Sequence, residues 1–252
     1  MHFGYWDKKV KTFPQALQRE NEILAEKIKI KSTDTVLDAG CGVGGSSIFL
    51  AKNFGCTAVG ITLSQKQTET AKKKAKQNGL EKATEFLVMD FERMKFPKET
   101  FDVVWAIESI CHANSKKKFI EEAYRVLKKG GRIIVADAFL TRDHFSVKEE
   151  IILQKFLNGW GVNFLESQKN FAVFLKEAGF QDVSFTDITE NVMPSSIRLY
   201  KYAQRVMLLG KIAEKIKLRT TTQTGNITAA YYQHKALTKG LGKYGIFYAV
   251  KP

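Results

Sequence analysis

The sequence predicts an α/β protein with a doubly wound, mostly parallel, seven-stranded Rossmann-like sheet and a helical cap inserted before the last strand. Two observations predict this fold. Short apolar runs alternate with helical stretches between residues 35 and 136, and such an alternation forms parallel strands joined by right-handed crossovers. After Asp137 the alternation stops, and long helical stretches precede a final apolar run at residues 244–250.

The individual elements follow from the spacing of apolar residues and from the residues that flank them. Thr12 and Pro14 are typical of a helix start, and apolar residues then recur at helical spacing up to residue 30. Apolar runs predict strands at residues 35–38, 56–61, 84–89, 101–107, 132–136, 181–187 and 244–250. The predicted helices are 14–30, 45–53, 64–78, 119–127, 147–158, 168–178, 195–217 and 227–239.

The composition describes an ordered protein with a basic surface. The net charge is +14, from 40 Lys and Arg against 26 Asp and Glu, and such a charge suits nucleic acid, an anionic membrane or an anionic substrate. The excess is mostly lysine on predicted helix surfaces, which favours a solvated surface over a nucleic-acid interface. Three cysteines in or beside predicted strands indicate neither a disulfide framework nor a metal site.

The sequence predicts a soluble, cytoplasmic protein. The first residues lack the order of a signal peptide, and no apolar run approaches the roughly 20 residues of a membrane span. One stretch, residues 207–218, combines apolar residues with lysines. This pattern predicts either a cap helix over an apolar pocket or a helix in peripheral contact with a membrane.

A glycine-rich turn follows the first predicted strand. Its glycines, Gly40, Gly42 and Gly44, allow backbone amides and a helix N-terminus to approach a ligand closely. Asp38 stands just before the turn, where its carboxylate would repel the pyrophosphate of a dinucleotide. The turn therefore favours a positively charged ligand.

The segment from Val36 to Ser47 resembles the first motif of the class I S-adenosylmethionine-dependent methyltransferases, especially the sterol and tocopherol C-methyltransferase branch. The resemblance implies S-adenosylmethionine as the cofactor, because its ammonium and sulfonium groups supply the positive charge. The cofactor contacts that it implies in this turn are Asp38, Gly40, Cys41, Gly42 and Gly44.

Two further segments resemble cofactor-binding parts of the same family. At the end of the second strand the acidic residue found in many members is missing, and the segment is similar instead to tocopherol methyltransferases and cyclopropane-fatty-acid synthases. There Thr62 and Leu63 would frame the adenosine, and Gln67 would bond the ribose hydroxyls. After the third strand, Asp90 would accept the adenine amino group beside Phe91, although an Asp capping a turn beside a core Phe is the alternative.

The segment that follows the fourth strand closely resembles the part of sterol C-methyltransferases that bears Glu, Cys and His at the same spacing. Glu108 and His112 are therefore the candidate catalytic residues, either removing a proton after methylation or holding the substrate. The structural alternative for Glu108 is a buried carboxylate that orders the loop. The opening residues are similar to the family's aromatic lid, which implies that Tyr5 and Trp6 close over the cofactor.

No repeat or linker divides the chain, so we expect one methyltransferase domain over residues 1–252. Its parts would be an N-terminal lid and helix at 1–30, a cofactor-binding core at 31–140 and the helical cap insertion at 188–240. The expected partner is a small lipophilic acceptor, terpenoid, sterol-like or quinone-like and methylated at carbon. The alternatives are N- or O-methylation of a small polar metabolite, nucleic-acid modification, which lacks its expected motifs here, and a non-catalytic binding protein.

Overall fold

The computed structural model describes the backbone of residues 3–215 and 221–252, and the side chains of residues 3–207 and 225–252. The strands are β1 (Thr35–Ala39), β2 (Thr57–Thr62), β3 (Thr84–Val88), β4 (Phe101–Ile107), β5 (Leu127–Leu140), β6 (Gln181–Asp187) and β7 (Gly242–Val250). The helices are α1 (Phe13–Ile28), α2 (Gly45–Phe54), α3 (Gln65–Gln77), α4 (Lys116–Val126), α5 (Val147–Trp160), α6 (Gln168–Glu177), α7 (Thr189–Lys215) and α8 (Thr221–Thr238).

The strands form one sheet in the order β3-β2-β1-β4-β5-β7-β6. Strand β7 lies antiparallel between β5 and β6, and the other pairs are parallel. The mostly parallel seven-stranded fold is therefore confirmed. The order of the chain through the sheet reverses between β1 and β4, and ligands of such sheets bind at the carboxyl ends of the strands beside this reversal.

Apolar cores lie on both faces of the sheet. Neighbouring residues of one strand point to opposite faces, so Leu37 and Val104 belong to one core cluster while Val36 and Val103 belong to the other. Strands covered on both sides have continuous apolar sequences rather than alternating ones. This property explains why the inner strands were recognisable in the sequence.

Several element boundaries differ from the predicted ones, most of all those of β5, α7 and α8. Strand β5 extends well beyond the predicted residues 132–136, because its pairing with β7 continues as far as Leu140, opposite Gly242. Helix α7 begins at Thr189 rather than at residue 195 and contains Pro194. A proline has no N–H to donate, so this helix gives up one backbone hydrogen bond near its start.

The cap is built from two consecutive helices, α7 and α8, together with α5 from earlier in the chain. Helix α8 packs against both α5 and α7, and α7 and α8 lie between β6 and β7 along the chain. The lysine-bearing segment at residues 207–218 falls almost wholly outside the residues whose side chains are described. Among the helices in the described ranges, none has the length and hydropathy of a membrane span.

Candidate active site

The glycine turn, residues 40–44, has the backbone conformation that its sequence demands. Gly40, Gly42 and Gly44 have φ of 89°, 53° and 79°, in the left-handed region that side chains disfavour. A Cβ on Gly40 would lie 2.3 Å from the Cβ of Ser109, whereas a Cβ on Gly42 would meet nothing within 4 Å. The absence of a side chain at Gly40 therefore lets the loop after β4 pack closely against the turn. At Gly42 the bare backbone faces the open cleft.

Asp38 holds the start of α2 to this turn. Its side chain is 3% exposed, and its Oδ2 accepts a hydrogen bond of 2.6 Å from the Ser47 hydroxyl. Burial raises the pKa of Asp38 to about 6, against the lowering effect of the Ser47 hydrogen bonds. The Asp38 carboxyl thus links the end of β1 to the first turn of α2, and its contact with a cofactor stays a prediction.

The ends of β2 and β3 extend the cleft along the sheet. The Thr62 hydroxyl donates a hydrogen bond of 2.7 Å to Gln67 Oε1, which leaves the Gln67 amide N–H groups available to a ligand. Leu63, between them, is 73% exposed. Beyond β3, Asp90 Oδ1 accepts the Glu92 amide, and the Phe91 ring packs edge-on against Phe119.

The structure thus shows Asp90 capping a turn and Phe91 packing against the core, which was the structural alternative for this pair. Their cofactor roles stay predictions, because a carboxylate has a second oxygen and a ring a second face. Gly60 lies beneath this part of the cleft. A Cβ there would lie 2.8 Å from Cys41 and from Phe86, so only glycine lets the turn at Cys41 rest on β2.

The loop after β4 lies directly against the glycine turn. The Ser109 hydroxyl donates a hydrogen bond of 2.6 Å to the Ala39 carbonyl, and the Cys111 amide donates one to Asp137 Oδ2. Glu108 has a φ of 45°, which is uncommon for a residue with a side chain and clusters at functional sites. These contacts bring Glu108 next to the cofactor cleft.

Glu108, which is half-buried, belongs to a group of acids that we call the carboxyl cluster. The cluster comprises Glu108, the buried Glu20 and Asp137, and the hydroxyl of the buried Tyr244. Glu108 Oε1 accepts the Phe3 amide at 2.6 Å and lies 2.9 Å from Tyr244 Oη. Tyr244 Oη is also 2.9 Å from Glu20 Oε1. Glu20 and Tyr244 come from α1 and β7, so the cluster joins the two ends of the chain at the floor of the site.

Burial is the main cause of raised pKa values throughout the cluster. It raises the pKa of Glu108, and the charge of Glu20 raises that pKa further. Burial also raises the pKa of Glu20 and of Asp137, and places the pKa of Tyr244 well above its usual value. Because burial disfavours charge, this floor retains protons more tightly than exposed carboxyls do.

A cavity of about 380 Å³ opens above the carboxyl cluster. Glu108, Asp137 and Tyr244 form its floor, and the exposed His112 lines it beside Cys111. Helices α5, α7 and α8 and the loop after α5 supply mostly apolar walls, including Phe156, Trp160, Val162, Leu165, Leu199, Ile227 and Ala230. The described lining contains no Lys or Arg, so the cavity favours an uncharged or positively charged guest.

The N-terminal segment closes one side of this cavity, but Phe3 rather than Tyr5 or Trp6 lines it. The Tyr5 amide donates a hydrogen bond to the Ala16 carbonyl, and Trp6 Nε1 donates a hydrogen bond of 2.7 Å to Ser195 Oγ on α7. Tyr5 and Trp6 thus anchor the segment to α1 and α7. A contact of either ring with the cofactor stays a prediction.

Sequence reasoning missed three members of this site: Glu20, Asp137 and Tyr244. One signal was present for Glu20, because a carboxylate at residue 20 interrupts the apolar stripe of α1 between the buried Ala16 and Leu24. Within the described residues, no group of three or more His, Cys, Asp or Glu side chains is placed to hold a metal ion.

A mostly parallel sheet with this strand order, a bare-backbone turn at its reversal point and a neighbouring apolar cavity define a class I S-adenosylmethionine-dependent methyltransferase. Residues 37–135 match the methyltransferase domain family, and the chain belongs to that family. Its cofactor is S-adenosylmethionine. The open backbone at Gly42 and the available Gln67 amide fit this group, which supplies a methyl carbon activated by positive sulfur.

Similar proteins act on several kinds of acceptor. The 27-O-demethylrifamycin SV methyltransferase of Amycolatopsis mediterranei is 31% identical over 195 residues, covering 77% of this chain and 71% of that protein. The sterol 24-C-methyltransferase of Kluyveromyces lactis is 32% identical, covering 75% of this chain and 52% of that protein. The geranyl diphosphate C-methyltransferase of Streptomyces coelicolor shares the fold, with a TM-score of 0.78 at 18% identity, covering 100% and 91% of the two chains.

Proposed function

We propose that this enzyme methylates a carbon atom of a small lipophilic acceptor of terpenoid, sterol-like or quinone-like chemistry. The single observation that carries the proposal is a carboxylate at the floor of an apolar cavity. Glu108 lines that cavity next to the loop that contacts the glycine turn. Carbon methylation of an alkene needs this combination, because the acceptor is apolar and a proton must leave after the methyl group arrives.

The proposed roles divide between the two sides of the site. The proposed cofactor contacts are Asp38, Gly40, Cys41, Gly42, Gly44, Thr62, Leu63, Gln67, Asp90 and Phe91. The segment that closes over the cofactor is anchored by Tyr5 and Trp6. The alkene π electrons form the bond to the methyl carbon, and the S–CH3 electron pair stays on sulfur. Glu108 then removes a proton from a carbon next to the resulting cationic carbon, and the C–H electron pair forms the new double bond. His112, at the exposed side of the cavity, positions the acceptor. The apolar walls exclude water, which would otherwise quench the reaction.

The cavity also narrows the acceptor's chemistry. Its described lining residues include two acids but no Lys or Arg. The floor would therefore repel an anionic head group. The end of the acceptor that reaches Glu108 is therefore uncharged, and it becomes positive only during the reaction. The aromatic walls, Phe3, Phe156 and Trp160, suit such a developing positive charge.

Methyl transfer to an amine nitrogen is the second candidate function, because the carboxyl cluster would also attract a cationic amine. The sarcosine/dimethylglycine N-methyltransferase of Halorhodospira halochloris is 25% identical over 98% of this chain. The apolar walls favour the carbon acceptor, since a small polar amine would leave them uncovered.

Isotope transfer tests the proposal directly. The enzyme is incubated with S-adenosylmethionine carrying a labelled methyl group and with panels of neutral terpenoids, sterols, quinones and small amines, and labelled products are identified by mass spectrometry and NMR. We expect the label on a carbon atom of a neutral lipophilic compound. A label found only on nitrogen or oxygen of polar compounds would contradict the proposal.

A further inference from the structure

The hydrogen bonds around Tyr244 restrict where protons can lie in the carboxyl cluster. Tyr244 Oη is 2.9 Å from an oxygen of Glu20 and 2.9 Å from an oxygen of Glu108. A phenol has one proton, so it can donate to only one of these two oxygens. The other contact is a hydrogen bond only when the second carboxyl is protonated and donates to the phenol oxygen.

The remaining partners decide which carboxyl carries that proton. Glu108 Oε1 also accepts the Phe3 amide at 2.6 Å, so this oxygen is surrounded by donors, as a carboxylate requires. The Gly4 amide also acts on the Glu20 carboxyl and lowers its pKa, but Glu20 Oε2 is buried and has no hydrogen-bond partner among the described residues. A charged oxygen in that position would be far more costly than the carbonyl oxygen of a neutral acid.

We propose that Glu20 is a positioning residue that stays protonated and donates through the Tyr244 hydroxyl to an ionised Glu108. The chain of donors then runs from Glu20 to Tyr244 to Glu108 and keeps the Glu108 carboxylate charged and oriented toward the acceptor. Glu20 does not line the described cavity wall, so it acts on Glu108 rather than on the acceptor. The inference rests on the proposed role of Glu108 as the proton acceptor.

Several other groups face Glu108 and bear on its charge. Asp137 on β5, Cys111, the exposed His112 and Tyr244 on β7 line the same cavity as Glu108. The charge of Glu20 would raise the pKa of Glu108, and Asp137 would raise that of Glu20. A second negative charge in this pair would be opposed, so only one of the two carboxyls is ionised at a time, and the hydrogen-bond partners decide which one.

Carbon-13 NMR of the full-length enzyme, labelled at the side-chain carboxyl carbon of glutamate, tests this assignment without any acceptor. The resonance missing from Glu20→Gln identifies Glu20, and the one missing from Glu108→Gln identifies Glu108. As the pH rises, we expect the Glu108 resonance to move to its ionised position while the Glu20 resonance stays at that of a neutral acid. Movement of Glu20 first, or of both together, overturns the proposal.

Kinetics with the acceptor that isotope transfer identifies provides an independent readout. A glutamine at residue 20 can still donate to Tyr244, so Glu20→Gln should keep the acidic limb of the kcat/KM profile at the wild-type pH. Glu20→Leu has no donor, and we expect its kcat to fall about tenfold with unchanged affinity for S-adenosylhomocysteine. The proposal is contradicted if the acidic limb of the kcat/KM profile of Glu20→Gln shifts by about one pH unit or more, or if Glu20→Leu keeps full activity.

The two experiments separate the inference from the proposed function. If Glu108→Gln retains full activity, the proposed role of Glu108 fails, while the NMR titration still decides which carboxyl is protonated. If Glu20→Leu does not fold, the NMR titration and the Glu20→Gln profile keep the inference testable.

Discussion

The cofactor side and the acceptor side of this active site are assembled from contacts of very different range. On the cofactor side, the hydrogen bonds Asp38–Ser47, Thr62–Gln67 and Asp90–Glu92 join residues 9, 5 and 2 positions apart. On the acceptor side, the bonds Phe3–Glu108 and Glu20–Tyr244 join residues 105 and 224 positions apart. The first side is a property of short segments, and the second exists only in the folded chain.

This difference separates two kinds of chemistry. The cofactor side depends on exposed backbone and on left-handed backbone conformations. These features are visible in the sequence as glycines at fixed positions. The acceptor side relies on charge kept out of water, so its requirements are burial and the pairing of distant groups. We therefore expect substitutions on the cofactor side to weaken cofactor binding and substitutions on the acceptor side to slow turnover.

The sharpest test of this separation is Glu108→Gln. Removing the proton acceptor should lower kcat by about 10²–10⁴-fold, while S-adenosylhomocysteine affinity measured by calorimetry should stay within about threefold, a small free-energy change. Glu85→Gln, on the exposed side of β3, is the matched control and should behave as the wild type. Full activity in Glu108→Gln would remove Glu108 from catalysis.

Gly42→Val should produce the opposite pattern. A β-branched residue at a φ of 53° is strained by about 1–3 kcal/mol, and its side chain would project into the cleft. We expect cofactor affinity to fall by about 100-fold or more. Gly45→Ala is the control, since a Cβ there meets nothing within 4 Å and its φ is not in the left-handed region; equal affinities in both variants would place the cofactor elsewhere.

Asp38 offers a smaller, pH-dependent test of the cofactor side. Its pKa rises from 3.8 to about 6 on folding, so the native state binds the proton more tightly than the unfolded chain does. Stability contributed by that proton is complete below about pH 4 and is lost as the pH rises through about 6. Between about pH 4.5 and 7 the loss is about 2 kcal/mol.

Asp38→Asn removes this dependence while keeping an oxygen that can accept from Ser47. Urea unfolding of both proteins at the two pH values measures it. We expect the free energy of unfolding of the wild type to fall by about 2 kcal/mol more than that of Asp38→Asn over this interval. Equal changes would show that the Asp38 carboxyl titrates as it does in the unfolded chain.

The smallest expected effect lies where the N-terminal segment meets the cap. Trp6→Phe loses the hydrogen bond to Ser195 Oγ, which is worth about 1 kcal/mol, so kcat/KM should fall about fivefold. Ser195→Ala also loses the hydrogen bond to the Phe3 carbonyl, and its kcat/KM should fall further. The same kcat/KM in both variants would show that the Phe3 anchor does not affect the acceptor side.

The sequence predicted the backbone of the cofactor side better than the contacts of the acceptor side, for physical reasons. Continuous apolar runs marked the strands buried on both faces, and the turn glycines marked a backbone that side chains disfavour. The resemblance of the segment after β4 added Glu108. It did not add Glu20 or Tyr244, because a single Glu on a helix and a single Tyr on a strand are unremarkable until burial pairs them.

By itself the sequence determined the mostly parallel sheet and the glycine turn at its reversal point, because both depend on local backbone geometry and on the spacing of apolar residues. The resemblance of its motifs gave the methyltransferase class. The tertiary structure alone decided the apolar cavity and the arrangement of acids on its floor. Those features depend on residues from opposite ends of the chain, and the ionisation of a carboxyl is set by what surrounds it in space, not by its neighbours in sequence.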